Sequence, residues 1–183
     1  GGGISPYSYL WSNGQTTQTA TGLSAGPYTC QITDFNGCIF TDNVTITEPN
    51  ALLSSISSTD VLCNGDATGS ATVNPGGGIS PYSYLWSDGQ TTQTATGLLA
   101  GTYTCDITDF NGCVYINNII IGEPSAISVS EIITNVSCFG GSDGSTIVSA
   151  SGGTGLVYTY NWFGMNNMAL PVGIYSYTVT DNN

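Results

Sequence analysis

The stretch Thr102-Tyr103-Thr104-Cys105-Asp106-Ile107-Thr108 alternates strictly, and it runs directly into Asp109-Phe110-Asn111-Gly112-Cys113. Side chains on a strand point to opposite faces with a period of two. Tyr103, Cys105 and Ile107 therefore share one face, and Thr102, Thr104, Asp106 and Thr108 share the other. The first set is apolar and points inward. Asn111-Gly112 tolerates positive φ and makes a tight hairpin, so a second strand follows at 113–121. Upstream, Tyr82, Tyr84 and Trp86 share a face opposite Ser83 and Leu85. Turn signals at Asn64-Gly65-Asp66 and Ser87-Asp88-Gly89 separate further short runs. Strands are expected at 52–58, 69–74, 82–86, 92–97, 102–108 and 113–121. Short alternating strands broken by turns at close spacing predict a sandwich of antiparallel sheets.

This pattern is repeated. Residues 1–50 match residues 76–125 at 38 of 50 positions. Cys30, Cys38 and Cys63 recur as Cys105, Cys113 and Cys138 at a step of 75 residues. A third, diverged copy carries Tyr158-Thr159-Tyr160-Asn161-Trp162, Gly173-Ile174-Tyr175 and Thr180-Asp181, and is four residues shorter between Trp162 and Gly173. Internal repetition is the first property to establish, because it fixes the architecture. Proline cannot donate to a strand ladder, so Glu48-Pro49 and Glu123-Pro124 mark the boundaries. The expected layout is the C-terminal part of one repeat (1–50), a complete repeat (51–125) and the N-terminal part of a third (126–183). A chain that begins and ends mid-repeat is expected to be a piece of something longer. The fold class is all-β, with tandem sandwiches of about 75 residues forming a rod, a quasi-one-dimensional design.

Composition narrows function. The 183 residues include no Lys, Arg or His and carry a formal charge of −12. Nucleic-acid binding rests on basic side chains, as does docking on anionic lipid. Neither has a residue to use here. Nucleophile pairs built on His are likewise excluded. Hydrophobic residues make up 40% and aromatics 10%, enough for a packed protein rather than a disordered acidic tail. No apolar run is long enough for a membrane span. Six cysteines without His or C-x-x-C spacing point to disulfides in an oxidising compartment rather than to zinc. The expectation is an extracellular, non-enzymatic protein.

Three motif strings resemble the SprB-type repeat. Cys138-Phe139-Gly140-Gly141-Ser142-Asp143-Gly144-Ser145 is similar to its opening, and Pro81-Tyr82-Ser83-Tyr84-Leu85-Trp86-Ser87-Asp88-Gly89 to its middle. Leu98-Leu99-Ala100-Gly101-Thr102-Tyr103-Thr104-Cys105, running on to Thr108-Asp109-Phe110-Asn111-Gly112-Cys113, is similar to its end. The resemblance implies immunoglobulin-like or PKD-like repeats in long surface proteins of Bacteroidota, some of them gliding adhesins exported by type IX secretion. No catalytic residues carry over. Cys30 and Cys105 depart from the family, which usually has Val at that position, and the third copy has Tyr177 there. Three disulfide pairings stand open. Cys63–Cys113 fits the family and leaves Cys105 a buried thiol. Cys63–Cys105 fits sandwich geometry. A third links Cys63 to the next repeat.

The candidate sites are few. Asp60, Asp66 and Asp109 lie in or beside loops and are candidate calcium ligands, since calcium takes carboxylate and carbonyl oxygens. Turn chemistry is the alternative role for the same residues. Tyr82 and Tyr84 are candidate sugar-stacking rings, with a core role as the alternative. Asp106 and Asp109 form a carboxylate pair of the kind glycosidases use, but in a small duplicated repeat without an evident cleft. Asn43-Val44-Thr45 and Asn135-Val136-Ser137 match the N-glycan acceptor pattern. No cofactor is expected beyond possible calcium. The expected partners are neighbouring repeats, other copies in a fibre, and polysaccharide or surfaces. The expected function is a stalk or filament segment of a bacterial cell-surface adhesin. The alternatives are a polysaccharide-binding or calcium-stiffened module, and a fibre joined by strand addition.

Overall fold

A computed structural model describes residues 2–155, 157–163 and 167–181. Every regular element in it is a strand. The chain divides into two compact bodies, Gly1–Ala51 and Leu52–Asn183.

The first body is a single antiparallel sheet of β1 (Ser8–Trp11), β2 (Gly26–Thr33) and β3 (Ile39–Ile46), in that order. β2 and β3 form the Asn-Gly hairpin, with Thr33 opposite Ile39. Cys30 is buried on this sheet, and Trp11, Ile32 and Ile46 are half-buried.

The second body contains the complete repeat. Its strands are β4 (Leu53–Thr59), β5 (Gly69–Gly76), β6 (Ser83–Trp86), β7 (Thr94–Leu98), β8 (Gly101–Thr108) and β9 (Val114–Ile121). They form two antiparallel sheets, β4-β5-β7 and β6-β8-β9. All six expected strands differ from these by no more than two residues at either end. β7 starts two residues later than expected, and Thr92 is spent elsewhere. Its carbonyl accepts the Trp86 indole N–H at 2.8 Å, and its hydroxyl donates to the Thr94 carbonyl at 2.6 Å.

The facing sheets enclose a core of Val61, Ala71, Val73, Trp86, Ala95, Leu98, Cys105, Ile107 and Ile121. Alternation placed Trp86, Cys105 and Ile107 correctly. Aromatic burial supplies much of the stabilisation in so small a repeat. Trp86 is 1% exposed and stands opposite Cys105 across the β6–β8 pair. Asn117 is the buried polar exception on β9. Its carboxamide donates to the Ser54 hydroxyl at 2.9 Å and so ties the two sheets along one edge. Among the described residues every buried side-chain polar atom has a hydrogen-bond partner, as buried polar groups require.

The two sheets meet with little clearance at Gly69. A methyl group there would stand 2.7 Å from Ile121 Cγ2 and 2.9 Å from the Leu98 carbonyl oxygen. Gly144, at the same repeat position, would meet the Leu170 carbonyl oxygen at 2.8 Å.

The third copy has β10 (Ser125–Thr134), β11 (Gly144–Gly153), β12 (Tyr158–Asn161), β13 (Met168–Leu170) and β14 (Thr178–Asp181). They form a sheet β10-β11-β13 and a pair β12-β14. The shortened segment between Trp162 and Gly173 includes residues 164–166, which lie outside the described residues. Among the described residues no helix is long and apolar enough to cross a membrane.

Candidate functional site

The complete repeat has two poles. At the entry pole, Leu52 and Gly78 lie beside Asp109, together with the β8–β9 hairpin. At the exit pole, Gly69, Leu98, Val61 and Ile121 converge. β4 runs from the first pole to the second and β9 does the same, so the chain enters at one end and leaves at the other. Only Gly122, Glu123 and Pro124 separate β9 from β10.

Asp109 organises the entry pole. Its Oδ2 accepts the Ile79 N–H at 2.9 Å, and its Oδ1 accepts the N–H groups of Asn111 and Cys113, each at 2.9 Å. It is 5% exposed. Backbone donors, Ile79 foremost, hold its carboxyl below the ordinary carboxylate range against the opposing effect of desolvation. Asp34 repeats the arrangement with Ile4, Asn36 and Cys38. Asp181 repeats it in part with the N–H groups of Thr154 and Gly155. All three carboxyls are lowered for the same reason, chiefly by Cys38 for Asp34 and Thr154 for Asp181. Asp109 is thus a hairpin clamp whose oxygens are engaged by the backbone.

Asp60 and Asp66 stand at the opposite pole. Asp60 Oδ1 accepts the Gly122 N–H at 2.8 Å, while the Val61 N–H donates back to the Gly122 carbonyl at 3.1 Å. The Asp66 N–H closes a turn on the Cys63 carbonyl at 3.1 Å. The three calcium candidates therefore do not converge: two are at the exit pole and one is at the entry pole. Among the described residues no group of three or more His, Cys, Asp or Glu side chains is placed to hold a metal ion. The sequence reading missed Glu123, whose Oε2 accepts the Gly65 N–H at 2.9 Å, and Asn64, whose carboxamide donates to the Pro124 carbonyl at 3.0 Å. Together they clamp the exit loop onto the connection to the next repeat. Glu123-Pro124 was read as a boundary, but its partner loop was invisible because it is about 60 residues away in sequence.

Tyr82 and Tyr84 are half-buried and pack against the core. The Tyr82 hydroxyl donates to the Gly77 carbonyl at 2.6 Å, and Tyr158 does the same to Gly152 at 2.6 Å. Burial pushes the Tyr84 phenol up. These rings hold the loop before β6 rather than standing clear of the surface. Asp106 faces away from the core on β8 and lies opposite Leu85 and Ile116.

Disulfide geometry differs from expectation. All six cysteines are free, with Cys30 and Cys105 buried and Cys38, Cys63, Cys113 and Cys138 exposed. The pairing Cys63–Cys113 is not formed. Cys63 lies in the exit-pole loop and Cys113 in the entry-pole hairpin. The seven steps of β9 between the poles span about 24 Å, whereas a disulfide needs its Cα atoms within about 7 Å. Cys63–Cys105 is not formed either. Cys105 faces the core beside Trp86, four residues along β8 from Gly101 at the exit pole, which is about 13 Å. Burial raises the Cys105 thiol pKa, in keeping with a small core hydrophobe.

Two small antiparallel sheets facing each other around the buried Trp86, with related strand sets in the first and third copies, define a tandem β-sandwich repeat fold of immunoglobulin-like type. The profile of the SprB repeat family matches residues 55–91 and 130–167. No curated protein matches the chain. Among solved structures it is similar to one described as "Structural basis for Dscam isoform specificity", at 9% identity and a TM-score of 0.33, over 96% of this chain. The chain spans 57% of that one.

Proposed function

We propose that this chain is a segment of an extracellular stalk or filament in a long repetitive adhesin of the bacterial cell surface. The observation that carries the reading is polarity. The complete repeat admits the chain at one pole, releases it at the other, and reaches the next repeat through three residues, with the period conserved at 75 residues. Units joined in this way extend a line, and each adds its own core plus a neighbour term. SprB repeats occur in bacterial surface gliding adhesins, which supports the location. The family is a structural repeat and brings no catalytic set with it. The absence of basic side chains leaves uniformly negative repeats that repel one another at short range. Solution scattering from a chain of several native repeats tests the proposal. A rod that lengthens by roughly 35–40 Å per repeat is expected from strand rise plus loops. A compact globule would end the stalk reading.

The binding-module alternative has less support. Tyr82 and Tyr84 are committed to the core margin, and the calcium candidates are split between poles. Binding of tandem repeats to a polysaccharide panel, with calcium and with chelator, decides it. Saturable binding lost on substituting Tyr82 or Tyr84, or on removing calcium, would make the repeat adhesive in itself.

A further inference from the structure

We propose that, where complete repeats follow one another, Cys63 of one repeat forms a disulfide with Cys113 of the next. The argument starts from the two poles. Cys63 lies in the exit loop, which is held to the outgoing chain by the Asn64–Pro124 and Gly65–Glu123 hydrogen bonds. Cys113 lies at the entry pole, fixed by the bond from its N–H to Asp109, and Asp109 is in turn beside Gly78 and Leu52, where the chain comes in. The connection is Gly122–Pro124 from the complete repeat to the third copy, and residues 47–52 from the first copy to the complete repeat. The exit pole of one repeat and the entry pole of the next therefore share one junction, and each brings an exposed thiol to it.

Each thiol has an exposed apolar neighbour. Leu62 is 61% exposed beside Cys63, and Phe110 is 72% exposed on the hairpin that ends in Cys113. Contact between these side chains would bury apolar surface and shield the bond. The repetition is consistent with this use. Cys38 recurs as Cys113 and Cys63 as Cys138, so both partners are supplied once per period. Within a single repeat the same two cysteines are a strand length apart and cannot meet. The bond would fix one repeat's rotation relative to the next.

Formation is a two-electron oxidation. Two thiols lose two protons and two electrons, and one S–S bond forms. The electrons pass to the disulfide of an oxidoreductase or of a small thiol, which is reduced to two thiols. Cys30 and Cys105, buried in sheet faces, take no part. The inference goes beyond the stalk proposal, since a rod can form without the bond.

The test uses the full chain with residues 51–125 duplicated in tandem, which joins Ser125 to a second Ala51. It is folded reduced, then oxidised with glutathione disulfide and analysed by intact mass and peptide mapping of the monomer. One disulfide joining the Cys63 and Cys113 peptides is expected. Cys63→Ser in the first copy or Cys113→Ser in the second should abolish it. The same substitutions in the other copies should leave it intact. A monomer folded by circular dichroism with all thiols still free after oxidation would overturn the proposal. So would a bond that survives Cys63→Ser in the first copy. Scattering of the reduced tandem chain reads the rod separately, so failure of the bond and failure of the stalk are distinguishable.

Discussion

The Asp109 carboxylate accepts the backbone N–H of Ile79, 30 residues earlier, and so locks the β8–β9 hairpin to the loop that precedes β6. Its other oxygen, Oδ1, accepts from the N–H groups of Asn111 and Cys113. A single acidic residue thus fixes the entry pole, and the first copy repeats it with Asp34 and Ile4.

The first prediction concerns acid. Asp34, Asp109 and Asp181 have carboxyls lowered by backbone donors. A lowered folded pKa contributes stability that is present above the unfolded value, near 3.8, and is lost as pH falls through the folded value. Thermal midpoints should hold from neutral pH down to the ordinary carboxylate range and then fall. Asp109→Asn should lower the midpoint at neutral pH and flatten the acid limb, because the carboxamide turns an N–H toward a donor it must accept. Circular dichroism melts across pH check this. A midpoint unchanged by Asp109→Asn would show that the clamp is dispensable.

A second prediction rests on Trp86, whose ring fills the core and whose indole N–H reaches the Thr92 carbonyl. Trp86→Ala should cost about 3–5 kcal/mol, the range for large aromatic truncations in cores. Trp86→Phe should cost less, retaining most of the apolar area but leaving the Thr92 carbonyl without its donor. Urea denaturation followed by tyrosine fluorescence measures both. Equal costs would mean that the hydrogen bond and ring volume are not separable here.

The third concerns Gly69, which faces Ile121 Cγ2 and the Leu98 carbonyl. A Cβ placed there must displace a side chain and a backbone oxygen. Gly69→Ala should destabilise by about 1–3 kcal/mol, the usual range for overpacking. Gly76→Ala, with open space around it, is the control and should change the urea midpoint far less.

The fourth concerns an exchange between copies. Where the complete repeat has Cys105 and Ile56, the third has Tyr177 and Glu131. The Tyr177 hydroxyl donates to the Glu131 carboxylate, and its ring lies 4.8 Å from that of Trp162. The bond to Glu131 pushes the Tyr177 phenol up. Stability from this pair should be present below the ordinary tyrosine pKa and be lost as pH rises through the raised one. Tyr177→Cys and Glu131→Ile together should be less destabilising than the sum of the single changes, because each alone strands a partner. Additive effects in a double-mutant cycle would show that the two positions are independent.

The fifth is chemical. In the native 183-residue chain an aromatic disulfide reagent should label Cys38, Cys63, Cys113 and Cys138 quickly, and Cys30 and Cys105 only on unfolding. Burial raises the Cys105 pKa and so depletes its thiolate, the reactive form. Rapid labelling of native Cys105 would mean that the core opens.

The sequence by itself determined whatever depends on neighbours along the chain. Strict alternation assigned Tyr103, Cys105 and Ile107 to the inside, and Asn111-Gly112 set the hairpin, where Gly112 takes φ 81°. A strand has a period of two, and a tight turn needs a residue that tolerates positive φ; both requirements are local. Self-comparison gave the 75-residue period for the same reason. Only the tertiary structure decided which loops share a pole. It separated Cys63 from Cys113 by a strand length, brought Asn64 to Pro124 and Glu123 to Gly65, and turned Asp109 from a candidate ligand into a backbone clamp. Those pairings follow from the order and direction in which six strands stack into two sheets. Spacing along a chain carries no record of that arrangement, because residues a strand apart in sequence lie at opposite ends while residues 60 apart can touch.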